Sequence, residues 1–316
     1  MFLAPALSVL AALAFADPPP PPIVNGTATD DYPQAVMLRH ATADWRTVYI
    51  CTGTLIAPNW VLTAAHCLTD VDNEGLTELH VYMGAIWAQG APEEAADDWF
   101  TNPDYSVSPD GSTIVADLGL VHVPHPYDLD GNVLNAIPIT NADIGKPYRY
   151  VGWGSTSANA YDAGYAKRFA DIPLSALEGE FMLGYDPAGS ATCGGDSGGP
   201  VFELKDGQAG ALVAVHSFGR STNGSGTCEG STSGDTRVDL YLDWIKANVD
   251  VATNADSTDS GTGDTGSGDT GSGNGGGSHD VHPSTGGCAT VDARGDAVVA
   301  LIVGLGLVAG RRRKAG

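Results

Sequence analysis

Between residues 23 and 249 the chain alternates short apolar or alternating runs with clusters of Gly, Pro, Asn and Asp. The clearest runs are 47–50, 60–63, 79–83, 118–123, 149–151 and 211–216. Many short runs separated by turn residues predict an all-β sandwich or barrel. The pattern changes only at 238–249, where Leu242, Ile245 and Val249 recur at helical spacing and predict a closing helix. Two further apolar stretches flank this region. Residues 1–16 are almost unbroken in apolar character and end on Ala14-Phe15-Ala16, the small-x-small pattern of a signal-peptidase site. A buried first helix is the alternative, but Pro5 and the prolines from Pro18 to Pro22 oppose it. The second stretch, 297–310, is a predicted short helix of about 21 Å, less than a bilayer core of about 30 Å.

Composition separates these regions further. Of the 316 residues, 15 are Lys or Arg and 38 are Asp or Glu, so the formal net charge is −23. Such a chain lacks the cations that neutralise phosphates, which excludes a nucleic-acid partner. Segment 250–287 is rich in Gly, Ser, Thr and Asp, with Asp-Thr-Gly-Ser-Gly twice running from Asp264. It has too little apolar surface to offset the entropy of ordering, and is expected to be a disordered, flexible linker. The tail, 288–316, carries Gly286-Gly287-Cys288 at its border, the short apolar run, and Arg311-Arg312-Arg313-Lys314. That order resembles the cysteine-containing C-terminal sorting signals of myxobacterial exported proteins, with Cys288 as the sorting residue. A plain membrane anchor through the tail, or a stray thiol, remains the alternative. The expected location is therefore secreted or cell-surface, where disulfides are permitted.

Three places in the middle region carry chemistry. His66 ends the run Leu62-Thr63-Ala64-Ala65-His66-Cys67, although a lone histidine beside a strand is usually just buried and hydrogen-bonded. Asp117 sits in Ala116-Asp117-Leu118-Gly119-Leu120, where a carboxylate needs a partner to offset its burial. Ser197 lies in Cys193-Gly194-Gly195-Asp196-Ser197-Gly198-Gly199-Pro200, whose small residues permit a tight turn with N–H groups aimed at one spot. Each signal is modest alone. Together, in the order His, Asp, Ser, they meet the needs of an acyl-transfer triad.

With those residues in hand, 23–249 resembles the trypsin/chymotrypsin family of serine proteases. The likeness runs from Ile23-Val24-Asn25-Gly26 to Trp244-Ile245 and includes Gly152-Trp153-Gly154 and Ser217-Phe218-Gly219. It implies a chymotrypsin-like fold of two six-stranded antiparallel β-barrels with a C-terminal helix and the site between them. It further implies Ser197 as nucleophile, His66 as base, Asp117 as the orienting acid, and the N–H groups of Gly195 and Ser197 as oxyanion hole. Ser217, Phe218 and Gly219 would bind the substrate backbone, with Ala191 and Thr192 in the specificity pocket. Removal of a short propeptide, 17–22, would free Ile23 to pair with Asp196. Disulfides Cys51–Cys67 and Cys193–Cys228 are implied as well, leaving Cys288 over.

Departures from the family bear on specificity. The pocket position six residues before the nucleophile is the uncharged Ala191, so an apolar or small P1 residue is expected rather than Lys or Arg. An inward-facing Asp235 would reverse that preference. The acidic clusters 70–74 and 93–98 are read as solvated loops rather than a calcium site, and neither metal nor cofactor is expected. The expected partners are protein or peptide substrates, processing peptidases at both ends, and a membrane through the tail. A non-catalytic homologue that binds proteins through the same cleft would be expected to lack a triad residue, and all three are present. A surface adhesin leaves the triad unexplained.

Overall fold

The computed structural model describes residues 23–249 apart from 70–74, 89, 128–133, 135–137, 161 and 222–226, together with 289–291 and 297–299. The expected signal peptide at 1–16, the propeptide at 17–22, the linker at 250–287, Cys288 and segment 300–316 lie outside the described residues.

Among the described residues, two antiparallel sheets are each built on six main strands. The first holds β1 (Ala35–Thr42), β2 (Val48–Ala57), β3 (Trp60–Thr63), β4 (Leu76–Tyr82), β5 (Asp98–Thr101) and β6 (Gly119–His122), hydrogen-bonded in the order β4–β1–β2–β3–β6–β5. Segment 94–101 touches both edges, because Glu94–Ala95 pairs with β4 while β5 pairs with β6, so the sheet rolls on itself. The second holds β7 (Pro147–Gly152), β8 (Arg168–Glu178), β9 (Phe181–Gly184), β10 (Pro200–Lys205), β11 (Gln208–Arg220) and β12 (Thr232–Arg237). Its order is β8–β7–β10–β11–β12–β9, and β8 also pairs with β9 and closes the ring. Each sheet also gains strands beyond the expected six: Thr27–Ala28 joins β8, and Ala289–Val291 joins β2 and pairs with Ala297–Val299.

The apolar runs account for these strands. Inward-facing Leu38, Leu55, Leu62, Val81 and Leu120 fill the first sheet, and Tyr148, Ile172, Met182, Val201 and Val213 fill the second. Burial of each such side chain contributes about 1.5–3 kcal/mol before the entropy of ordering is subtracted. Strand β2 is buried along its whole length because both of its faces are covered. Tyr49 and Cys51 face the first core, while Val48 and Ile50 pack with Trp153 and Ala163. The expected helix at 238–249 is split into a 3-10 turn, Val238–Leu240, and α1 (Leu242–Asn248). Tyr241 has φ −120°, which interrupts the helix, while Ile245 and Val249 still seal the first core.

In the tail, 297–299 was expected to begin a helix and is instead extended. Val298 and Val299 are β-branched and favour that conformation. Among the described residues no helix is long and apolar enough to cross a membrane.

Candidate active site

His66 sits on a single 3-10 turn, Ala65–Cys67, directly after β3. Two links fix the turn. The Thr63 hydroxyl donates to the Thr52 carbonyl at 2.8 Å, and Cys67 is disulfide-bonded to Cys51 on β2. Asp117 lies between Ile114–Val115 and β6, after Ala116, which has a left-handed φ of 50°. A non-glycine residue there costs about 1–2 kcal/mol. The geometry joins His66 and Asp117 twice: His66 Nδ1 is 2.8 Å from Asp117 Oδ2, and the His66 backbone N–H donates to Oδ1 at 2.9 Å. The Ser217 hydroxyl donates to Oδ2 at 2.5 Å.

Both ionisable groups are buried, and their partnership decides their charges. Burial alone would lower the pKa of His66, but the charge and hydrogen bond of Asp117 outweigh it and the net shift is upward. Burial alone would raise Asp117, yet His66 and the Ser217 hydroxyl hold it below the usual carboxylate value. The pair therefore favours an imidazolium beside a carboxylate, the state that forms when the base accepts a proton.

Ser197 occupies a turn that only glycines permit. Gly195 has φ 100°, and a Cβ there would meet the Gly154 Cα at 2.9 Å. Gly198 has φ 79°, and a Cβ there would meet the Thr52 carbonyl oxygen at 2.3 Å. First-sheet strand β2 grips this turn: Thr52 N–H donates to the Ser197 carbonyl at 2.8 Å and its hydroxyl to the Gly195 carbonyl at 2.9 Å. Sγ of Cys67 lies 3.6 Å from the same Ser197 oxygen, which sets the Ser197 backbone beside the turn that carries His66. The N–H groups of Asp196, Gly198 and Gly199 are spent on protein carbonyls. Those of Gly195 and Ser197 donate to no protein acceptor among the described residues.

The expected pocket residues fall around this turn. Ala191 is buried against Val24, Cys193 and Cys228, and its backbone bridges to Val24. Thr192 is buried, with no hydrogen-bond partner for its hydroxyl among the described residues. Cys193 is disulfide-bonded to Cys228. Phe218, Gly219 and Arg220 pair with β12 on one side, whereas β10 pairs with β11 only as far as Val215. The other edge of 217–219 is thus without a strand partner among the described residues, and an extended peptide fits there. Both carboxylate oxygens of Asp235 are engaged within the protein. Its Oδ1 lies 2.8 Å from His216 Nδ1, and its Oδ2 accepts from the Tyr150 hydroxyl at 2.5 Å and Ser233 at 2.9 Å.

Asp196 is buried next to Ser197 in the chain. Its carboxylate accepts from the N–H groups of Gly154 at 2.7 Å and Cys193 at 2.8 Å. Burial pushes its pKa up to about 6 despite those bonds. Ile23 is fully buried in the second core with φ 40°. Of the acidic cluster at 93–98, Glu93 meets Arg39 at 2.5 Å, Glu94 meets His125 at 2.6 Å and Asp97 meets His122 at 2.6 Å.

The comparisons with known proteins agree with this geometry. The trypsin family model matches residues 23–245. The chain belongs to the trypsin family. Brachyurin from Leptuca pugilator is 28% identical over 219 residues, which span 65% of this chain and 89% of that protein. Trypsin from Phaedon cochleariae is 28% identical over 244 residues, spanning 70% and 85% respectively. The solved structure of HL collagenase superposes with a TM-score of 0.55 at 26% identity, covering 72% of this chain and 98% of that one. The chain is accordingly a serine-type endopeptidase of chymotrypsin-like fold, with protein or peptide substrates, and its two disulfides fit an extracellular setting.

Some features of the site leave little signal in the sequence. Ser217 was expected only to bind the substrate backbone, and its hydroxyl also bonds Asp117. The pairing of His216 with Asp235 had no signal beyond a histidine next to the Ser-Phe-Gly landmark. Glu180, whose carboxylate accepts the Ala116 N–H at 2.5 Å, sits in a hairpin turn 63 residues after Asp117 and had no signal at all.

Proposed function

We propose that this trypsin-family chain is an exported endopeptidase whose triad is His66, Asp117 and Ser197. Ser197 attacks the scissile carbonyl as His66 takes its proton, giving a tetrahedral intermediate. His66 donates that proton to the amine as the C–N bond breaks and leaves an acyl-enzyme, which water, activated by the same base, hydrolyses to free Ser197. Asp117 holds the imidazole tautomer and stabilises the imidazolium. The N–H groups of Gly195 and Ser197 receive the oxyanion, each donor contributing about 3 kcal/mol to the barrier reduction. The observation that carries this reading is the doubly joined, fully buried His66–Asp117 pair beside a glycine turn with two uncommitted N–H groups. Its test is Ser197→Ala, which is expected to abolish peptide hydrolysis while the circular dichroism and melting curve stay those of the parent.

In this proposal the protease unit is 23–249, released from a signal peptide (1–16) and a propeptide (17–22). The free amino group of Ile23 then pairs with Asp196. The linker at 250–287 and the sorting or anchoring segment at 288–316 tether the unit at the outer surface, with Cys288 as the sorting residue. The P1 preference is non-basic, for apolar or small side chains. Ala191 offers no charge, and both oxygens of Asp235 are engaged by other groups. A panel of peptide substrates differing only at P1 tests this: Ala or Leu is expected to be cut at least about tenfold faster than Lys or Arg. A profile led by Arg and Lys would overturn it.

A further inference from the structure

His66, Ser217 and their hydrogen bonds aim the carboxylate of Asp117, but they do not explain what holds its backbone. Ala116, the residue before it, is fully buried and in the left-handed region at φ 50°. Its carbonyl accepts the Leu118 N–H at 2.7 Å, which makes a tight turn centred on Asp117. A buried N–H needs an acceptor, and that of Ala116 has the Glu180 carboxylate at 2.5 Å. Glu180 is itself tied down. Its second oxygen accepts the Tyr241 hydroxyl at 2.8 Å, and its carbonyl accepts the Arg237 N–H at 3.0 Å.

These anchors come from the other half of the molecule. Glu180 lies in the turn between β8 and β9, Arg237 ends β12, and Tyr241 precedes α1, whereas Asp117 leads into β6 of the first sheet. We propose that Glu180 is a positioning residue for the triad, a brace by which the second sheet holds the Ala116–Asp117 backbone in register with Ser217 and Ser197. The inference rests on the triad reading above. Without the brace the Ala116 N–H loses its charge-assisted acceptor, and Ala116 relaxes towards the right-handed or extended backbone that alanine prefers. Either change turns the Asp117 side chain away from His66 Nδ1.

The experiment compares the processed enzyme with Glu180→Ala, Glu180→Gln and Tyr241→Phe, after counting competent sites with a serine phosphonylating agent. Misplacing the acid is expected to lower kcat of Glu180→Ala by about 10- to 100-fold, with KM within about twofold of the parent. The acid limb of its kcat/KM profile is expected to move to lower pH, because a displaced Asp117 supports the imidazolium less. Glu180→Gln keeps a carbonyl acceptor for the Ala116 N–H and is expected to stay within about threefold of the parent. Parental kcat and acid limb in Glu180→Ala would overturn the brace, as would a glutamine variant no better than the alanine one. If Glu180→Ala does not fold, Tyr241→Phe decides, since it frees one oxygen of the brace. A smaller fall in kcat at constant KM supports the proposal, and unchanged kcat with an unchanged acid limb overturns it. A parent enzyme that fails to react with the agent would instead overturn the triad reading, and the brace with it.

Discussion

Two buried aspartates share this fold, and their environments push them in opposite directions. Asp117 is held below the ordinary carboxylate value, whereas Asp196 is pushed up to about 6. Burial does not separate them, since both are almost wholly enclosed. Nor do backbone donors, because Asp196 accepts two N–H bonds and Asp117 accepts one. The difference is a cationic partner in contact. Asp117 has His66 at 2.8 Å, while Asp196 has neutral amides in contact. Amide dipoles soften the loss of water without replacing it, and a buried carboxylate stays reliably charged when an opposite charge touches it. The Asp117 site is thus electrically complete in the full-length chain. Among the described residues no ion pair joins Asp196 to a cation, with His216 and Arg168 acting on it only through space, and the amino group created by cleavage before Ile23 is its proposed partner.

The strongest way to break the comparison is to remove the charge that makes Asp117 different. Asp117→Asn keeps the shape but favours the wrong tautomer of His66, and kcat is expected to fall about 10⁴-fold, the loss typical of a triad's acid. Steady-state kinetics at pH 8 measure it. Next in size is the amino terminus. In a chain that retains 17–22 the proposed Ile23–Asp196 pair cannot form, and kcat is expected to be about 10²-fold lower than in the form that begins at Ile23. Amino-terminal sequencing of the active species checks this, and a fully active species beginning at Asp17 would contradict it. Ser217→Ala removes one donor from Asp117 and leaves His66 in place, so a loss of about tenfold in kcat is expected.

Two pH effects sharpen the contrast. His66 must be neutral to act as a base, and its pKa is raised from 6.5. Activity is therefore expected to fall as pH drops through a value above 6.5, seen in the acid limb of kcat/KM. Asp196 behaves oppositely in the unprocessed chain. Its folded pKa of about 6 exceeds the ordinary 3.8, so the folded form binds the extra proton between those values. Its contribution to stability is greatest below pH 3.8 and is lost as pH rises towards 6, by up to about 3 kcal/mol. Urea unfolding of the unprocessed chain and of its Asp196→Asn variant across pH 4–7 isolates that contribution, which the variant lacks.

Much of this was legible in the sequence because local pattern and local chemistry coincided. Strand β3 was read with its bounds intact, since Trp-Val-Leu-Thr lies between a turn and a motif. The glycines around Ser197 announced a turn that the structure shows other residues could not make. Long strands were read short: 211–216 stands for β11, Gln208–Arg220, because its ends are polar and take their order from β10 and β12. The helix was read as one piece because apolar spacing does not register the break at Tyr241. Contacts between the halves, such as Glu180 with Ala116, depend on how two sheets meet, and nothing within either segment encodes that meeting visibly. The same holds for Asp235, whose orientation depends on Tyr150 from β7 and His216 from β11.

Ser197 is proposed as the nucleophile, activated by the His66–Asp117 pair. The most direct test of that role is the intact mass of the processed enzyme after reaction with a serine phosphonylating agent, followed by peptide mapping. A single adduct on Ser197 is expected, formed faster as pH rises through the His66 transition, absent from Ser197→Ala and slowed by orders of magnitude in Asp117→Asn. An adduct at another residue, or peptide hydrolysis retained by Ser197→Ala, would contradict it.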